Sequence, residues 1–168
     1  MFTAPIYDGD NFTNSDGVTF TVQIVPDDTQ ETPWDREDGH GPVSEWRNHG
    51  YNGYASKEPG ERPLCRDRNA TRFYNMAEAV RIARRDGWST APFDTVETPG
   101  QRAARAAEAD YQRLRAWCDD EWYYVGVMVM ATDDNGEEIG SASLWGIESD
   151  ASEYLAEVAN ELVSEINA

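Results

Sequence analysis

The sequence predicts an α+β fold, a small antiparallel sheet packed against about three helices, and three observations carry that expectation. Residues 18–25 (VTFTVQIV) set Val18, Phe20, Val22 and Ile24 against Thr19, Thr21 and Gln23, the two-residue period of a half-buried strand. Residues 122–131 (WYYVGVMVMA) are apolar on both faces, as expected of a central strand, and far too short to cross a membrane. Beyond residue 75, three segments repeat apolar residues at helical spacing behind a capping residue.

Taken in order, residues 1–16 carry no strong period and are expected to be loosely ordered, and Pro26 and Asp27 end the first strand. Residues 26–60 are rich in Gly, Pro and Asp without a period. They are expected to form a long loop that Trp34, Trp46, Tyr51 and Tyr54 pin to a core. Two short strands are expected at 63–66 and 70–74 around the turn Asp67, Arg68, Asn69. Asn75, with Glu78 three residues on and Gly87 at the far end, frames a helix. Thr98, Pro99 and Gln101 open a second, running to about Trp117 with Ala103, Ala104, Ala107, Tyr111, Leu114 and Cys118 as its apolar stripe. The turn around Asp133, Asp134, Asn135 and Gly136 leads from the central strand to a partner at 138–146. A final helix, at about 150–166 and capped by Ser149 or Asp150, buries Tyr154, Leu155, Val158, Leu162 and Ile166.

A chain of 168 residues is expected to form one domain with one core. Absence of a basic segment followed by an apolar one at the start points to a cytoplasmic protein. Cys65 and Cys118 lack metal-site spacing and read as buried free thiols, and no cofactor is indicated.

Charge is the most informative property. The net charge of −18 is sorted along the chain: residues 1–60 hold 11 acids and 3 bases, 61–117 hold 8 acids and 11 bases, and 118–168 hold 13 acids and no base. Such an excess repels phosphates, so direct nucleic-acid binding is disfavoured. In the last helix Glu153, Glu157, Glu161 and Glu165 recur every four residues, about 6 Å apart in rise, close to the phosphate interval of a nucleic-acid strand. Like charges so spaced destabilise a helix, and acids at its C-terminus oppose its dipole. The row, extended by Asp119, Asp120, Glu121, Asp133, Asp134, Glu137 and Glu138, is expected to bind a basic nucleic-acid-binding protein or enzyme by mimicking DNA. Acidity serving only solubility, or tolerance of high salt, is the competing reading.

The loop also gathers Asp35, Asp38, His40 and, further on, His49, which are weak candidates for metal ligands or for acid–base groups of a hydrolase. None shows a paired ligand spacing, and the chain has no nucleophile or phosphate-loop motif. The stretches EDGHGPVSEW (37–46), PGERPLCRDR (59–68), RFYNMAEAVRIARRDGW (72–88), RLRAWCDDEWYYVGV (113–127) and SLWGIESDASEYL (143–155) resemble a family of small acidic proteins encoded by bacteriophages and prophages. The resemblance implies a phage origin and carries no activity or site residue with it. By analogy of charge, that origin points towards inhibitors of host defence.

Overall fold

A computed structural model of the chain describes residues 1–90 and 96–167. The fold is mixed α+β, as expected, but the chain packs as two units: a terminal unit of Met1–Gln30 with Trp122–Ala168, and a central unit of Glu31–Glu121. Each has its own apolar cluster, where chain length alone predicts one core. The physical reason lies in the middle of the chain: the second strand pair and the two helices after it bury their apolar faces on each other.

In the terminal unit, β1 (Asn11–Thr13) and β2 (Thr19–Pro26) join β6 (Tyr124–Thr132) and β7 (Glu138–Glu148) in an antiparallel sheet of order β1-β2-β6-β7. Phe20 lies opposite Ala131, Val22 opposite Val129 and Ile24 opposite Val127, so the alternation of β2 meets the odd-numbered residues of β6 on one face. That face is covered by α4 (Ser152–Ile166) through Leu155, Val158, Ala159 and Leu162. Full burial of one such side chain contributes roughly 1.5–3 kcal/mol. Three expectations are corrected here. Residues 1–16 are not loose, because Phe2 and Ile6 are buried and Phe12 stacks on Phe20 at 5.0–5.3 Å from its two aromatic neighbours. Asn160 fastens them, accepting from the Phe2 amide and donating to its carbonyl, both at 2.9 Å. The last helix is capped by neither Ser149 nor Asp150: it begins after Ala151 with no side-chain cap, and the Ser149 hydroxyl accepts from the Tyr123 amide instead. Tyr154 is half exposed, and Ala156 and Ala159 complete the stripe.

In the central unit, α1 (Pro33–Arg36), β3 (Arg47–Asn48), β4 (Glu61–Arg66), β5 (Ala70–Asn75), α2 (Met76–Asp86) and α3 (Pro99–Cys118) follow one another, with the strands in order β3-β5-β4. The predicted caps form: Asn75 accepts from the Glu78 amide, Gly87 is left-handed at φ 70°, and Thr98 with Gln101 closes a capping box. The inner face of this sheet packs Leu64 and Tyr74 against Ala79 of α2 and Ala107 and Leu114 of α3.

The long loop is pinned by two of the four aromatic residues expected to do so. Trp34 packs edge-on to Trp117 at 5.4 Å, and the Arg72 guanidinium lies over the rings of Trp34 and Trp46. Tyr51 and Tyr54 are exposed and pin nothing. The cysteines are also corrected. Strand β4 and the last turn of α3 bring Cys65 and Cys118 to a Cα separation of 5.2 Å, and they form a disulfide.

Candidate acidic surface

The division into units sharpens the sorting of charge. The terminal unit takes five acids from residues 1–30 and ten from 122–168 and has no lysine, arginine or histidine at all. The central unit keeps the other 17 acids with all 14 bases. Two base-free ends of the chain therefore fold together, and the sequence shows only the second of them as conspicuous. Within the central unit the arginines pair with its own acids: Arg62 with Glu108, Arg81 with Glu78, Arg105 with Glu97 and Arg115 with Asp119, at 2.5–2.8 Å.

Glu153, Glu157, Glu161 and Glu165 are all exposed, because the opposite side of α4 is spent on the sheet. They form one row about 18 Å long. Its C-terminal end approaches the β6–β7 turn, since Ile166 packs over Gly140, where an added Cβ would lie 2.9 Å from its Cγ2. Asp134, Glu137 and Glu138 are exposed in and beside that turn. Asp133 is instead occupied in building it: its carboxylate accepts from the amides of Glu137 and Asn135 at 2.8 and 2.9 Å. The Glu137 amide and then the Asn135 side chain hold its carboxyl below the ordinary aspartate value against the opposing effect of burial. The contact between Ile166 and Gly140 sets the C-terminal end of α4, which carries Glu165, against the strand that follows the hairpin acids.

Asp119, Asp120 and Glu121 belong to the central unit and close α3. Asp119 is the C-cap residue and accepts from Arg115 Nε at 2.8 Å, Asp120 takes the left-handed conformation at φ 58°, and the Glu121 amide donates to Ala116. Helix termination accounts for the first two.

Among the like-charged residues of α4, neighbours four apart destabilise the helix by a few tenths of a kcal/mol per pair. Screening should relieve this. Raising NaCl from about 0.02 to 0.5 M, which shortens the Debye length several-fold, is expected to slow amide exchange in α4 by several-fold, equivalent to about 1 kcal/mol over the three pairs. Exchange that is unchanged or faster at high salt would show that the row carries no repulsion.

The weak metal candidates are not brought together, and no group of three potential ligands occurs among the described residues. Asp35 accepts from the Thr32 hydroxyl at 2.6 Å, Asp38 is exposed, and His49 Nε2 lies 3.0 Å from the Thr71 hydroxyl. His40 has a partner 70 residues away that spacing rules could not reveal: its Nδ1 lies 2.6 Å from Asp110 Oδ1. The other oxygen of Asp110 accepts from the Gly41 amide at 2.8 Å and the Tyr74 hydroxyl at 2.6 Å. Burial, and then the bond to Asp110, push the Tyr74 phenol far above its ordinary range, so it stays a donor. A histidine oriented by a carboxylate also occurs in catalytic triads. Here the carboxylate equally grips the backbone of the loop and a core tyrosine, which is the arrangement of a structural clamp.

The clamp continues outward. The Asn75 amide donates to Pro42, Val43 bridges Tyr74, and Ser44 exchanges bonds with Phe73, so residues 42–44 run along β5 on the edge that β3 continues. No family model, no curated protein and no solved structure matches the chain.

Proposed function

We propose that the terminal unit is a phage-type acidic inhibitor surface that occupies the cleft of a basic nucleic-acid-binding protein or enzyme of a bacterial host by imitating DNA phosphates. The observation that supports this reading is the base-free unit of 15 acids, with an exposed four-glutamate ladder continued by Asp134, Glu137 and Glu138. Acidity that served only solubility would have no need to leave one unit without bases, and the near balance of the other speaks against a chain-wide adaptation to salt. The energetics follow from counterion release: the basic cleft sheds its condensed anions, or the ladder its cations, when the two surfaces meet. No helix among the described residues is long and apolar enough to cross a membrane, and the reading places the protein in the cytoplasm, with its target, binding neither nucleic acid nor a cofactor.

Immobilised protein should retain a DNA-binding protein from host lysate that is released by about 0.5 M salt and by a short DNA duplex. The double variant Glu157→Lys, Glu161→Lys should lose that capture with unchanged circular dichroism, since Lys and Glu have similar helix propensity. Retention of only neutral or acidic proteins, or release by salt but never by duplex, would overturn the reading.

A further inference from the structure

We propose that a cleft on the outer face of the β3-β5-β4 sheet binds a nucleoside monophosphate, its phosphate on Lys57 and Arg66 and its ring against Tyr54. The proposal concerns the central unit alone and does not depend on the acidic surface. Strand register builds the cleft. Arg66 and Arg47 lie opposite Thr71 on its two sides, and Pro63 lies opposite Phe73, so these side chains share the face turned away from α2 and α3. Residues 53–57 stand beside that face as the second wall and supply Tyr54 and Lys57.

Of the cations of this face one is held in a close pair and two are not. Arg47 donates two bonds to the buried Glu61 carboxylate at 2.7 and 2.8 Å. Burial drives the Glu61 carboxyl upward, but those bonds, the Glu58 amide and the charges of Arg47 and Lys57 together hold it below its ordinary value, so Arg47 is committed to a permanent anion. Among the described residues, the side chain of neither Lys57 nor Arg66 forms a hydrogen bond or a close ion pair, although the charge of Lys57 also helps to hold Glu61 ionised. Lys57 is also the sole lysine. Two cations without a close partner line one concavity and give it an anion subsite, with His49 and the Thr71 hydroxyl beside them.

The rest of the lining sets the ligand class. Phe73, whose buried ring lies under the Arg47 guanidinium, and Pro63 give the cleft an apolar floor, and Tyr54, 68% exposed, supplies the accessible ring. Aromatic side chains so placed stack nucleobases regardless of sequence. The volume of about 210 Å³ lies below the range of drug-sized pockets, and favours a nucleotide with a single-ring base and one phosphate over a larger one. Repulsion from the net charge of −18 is screened beyond about 8 Å at physiological ionic strength. It excludes a polyanion more than it excludes a single phosphate.

Calorimetric titration of the full chain with uridine 5′-monophosphate at about 0.15 M salt tests this. The nucleotide is expected to bind, with uridine and inorganic phosphate each at least about tenfold weaker, since each lacks one half of the recognition. Lys57→Ala and Arg66→Ala should each weaken it by about tenfold or more, and Tyr54→Ala by about fivefold or more. All three side chains leave the hydrogen-bonded network intact, so folded variants are expected by circular dichroism. Absence of binding at millimolar nucleotide, affinity unchanged in the Lys57→Ala, Arg66→Ala double variant, or phosphate binding as tightly as the nucleotide would overturn the proposal.

Discussion

Replacing Asp110 by alanine is expected to destabilise the central unit by on the order of 3–5 kcal/mol, among the largest effects available to a single change in this chain. The side chain is 9% exposed and serves three donors at once: the His40 ring, the Gly41 amide and the Tyr74 hydroxyl. Alanine satisfies none of them. Leaving one buried donor unpaired costs roughly 1–3 kcal/mol, and more when a charged partner is lost. Tyr74 is fully buried and keeps only the longer bond to the Ala107 carbonyl at 3.3 Å, while the amide of Gly41 is left with the Tyr74 hydroxyl beside it in place of a carboxylate. Asp110→Asn keeps one acceptor oxygen and should fall between alanine and wild type. His40→Ala removes one donor rather than the shared acceptor and should cost only about 1–2 kcal/mol. Urea unfolding of the three variants checks the order. A loss below about 1 kcal/mol for Asp110→Ala, or His40→Ala exceeding it, would show that the cluster does not clamp the loop.

The same cluster explains a short sequence that composition cannot interpret. In Gly39-His40-Gly41 the second glycine is sterically required, because an added Cβ would overlap the Tyr74 hydroxyl and come within 2.7 Å of the Ala79 methyl. The stretch EDGHGPVSEW reads in the sequence as candidate chemistry. In the fold it is the edge of a sheet, held by main-chain bonds to β5 and by one aspartate of α3. Periodicity misses it because the ordering partners are 30 to 70 residues away and are recognised by backbone amides, which leave no side-chain pattern.

Where ordering is local, the sequence is legible. The capping box at Thr98 and Gln101, the Asn75 cap and the left-handed Gly87 depend on residues three or four apart and form as expected. Strand β2 forms because its alternation meets a complementary alternation on β6. What cannot be read is which surfaces meet. Nothing local shows that Phe2 would be tied to Asn160, or that the base-free ends of the chain would share one unit. The glutamate row is legible as a helical face, and its continuation into the β6–β7 turn depends on the contact between Ile166 and Gly140.

Cys65 and Cys118 illustrate the same limit and lead to the second large effect. Spacing of 53 residues identifies no site, yet the bridge joins the end of β4 to the end of α3 and closes a loop through the whole α2–α3 region. On the chain-entropy account, a closed loop of that length contributes about 4 kcal/mol by restricting the unfolded chain. Cys65 is buried and Cys118 half-buried against the central core, so breaking the bond leaves their packing almost unchanged and acts mainly through the unfolded state. Urea unfolding of the oxidised protein, of the same protein after reduction, and of Cys65→Ala, Cys118→Ala should therefore place the reduced form about 3–4 kcal/mol below the oxidised one. The alanine pair should lie lower still, because it also removes buried sulfur. Thiol titration of protein purified without reductant should find no reactive cysteine. Equal stability of oxidised and reduced protein would mean that the loop is already restrained when unfolded and that the bridge contributes nothing. The comparison also bears on the cytoplasmic setting of the proposed function, where thiols are kept reduced. In that compartment the central unit must stand on its core, the Asp110 clamp and the Arg47–Glu61 pair alone, and the reduced form is the one whose stability decides whether it does.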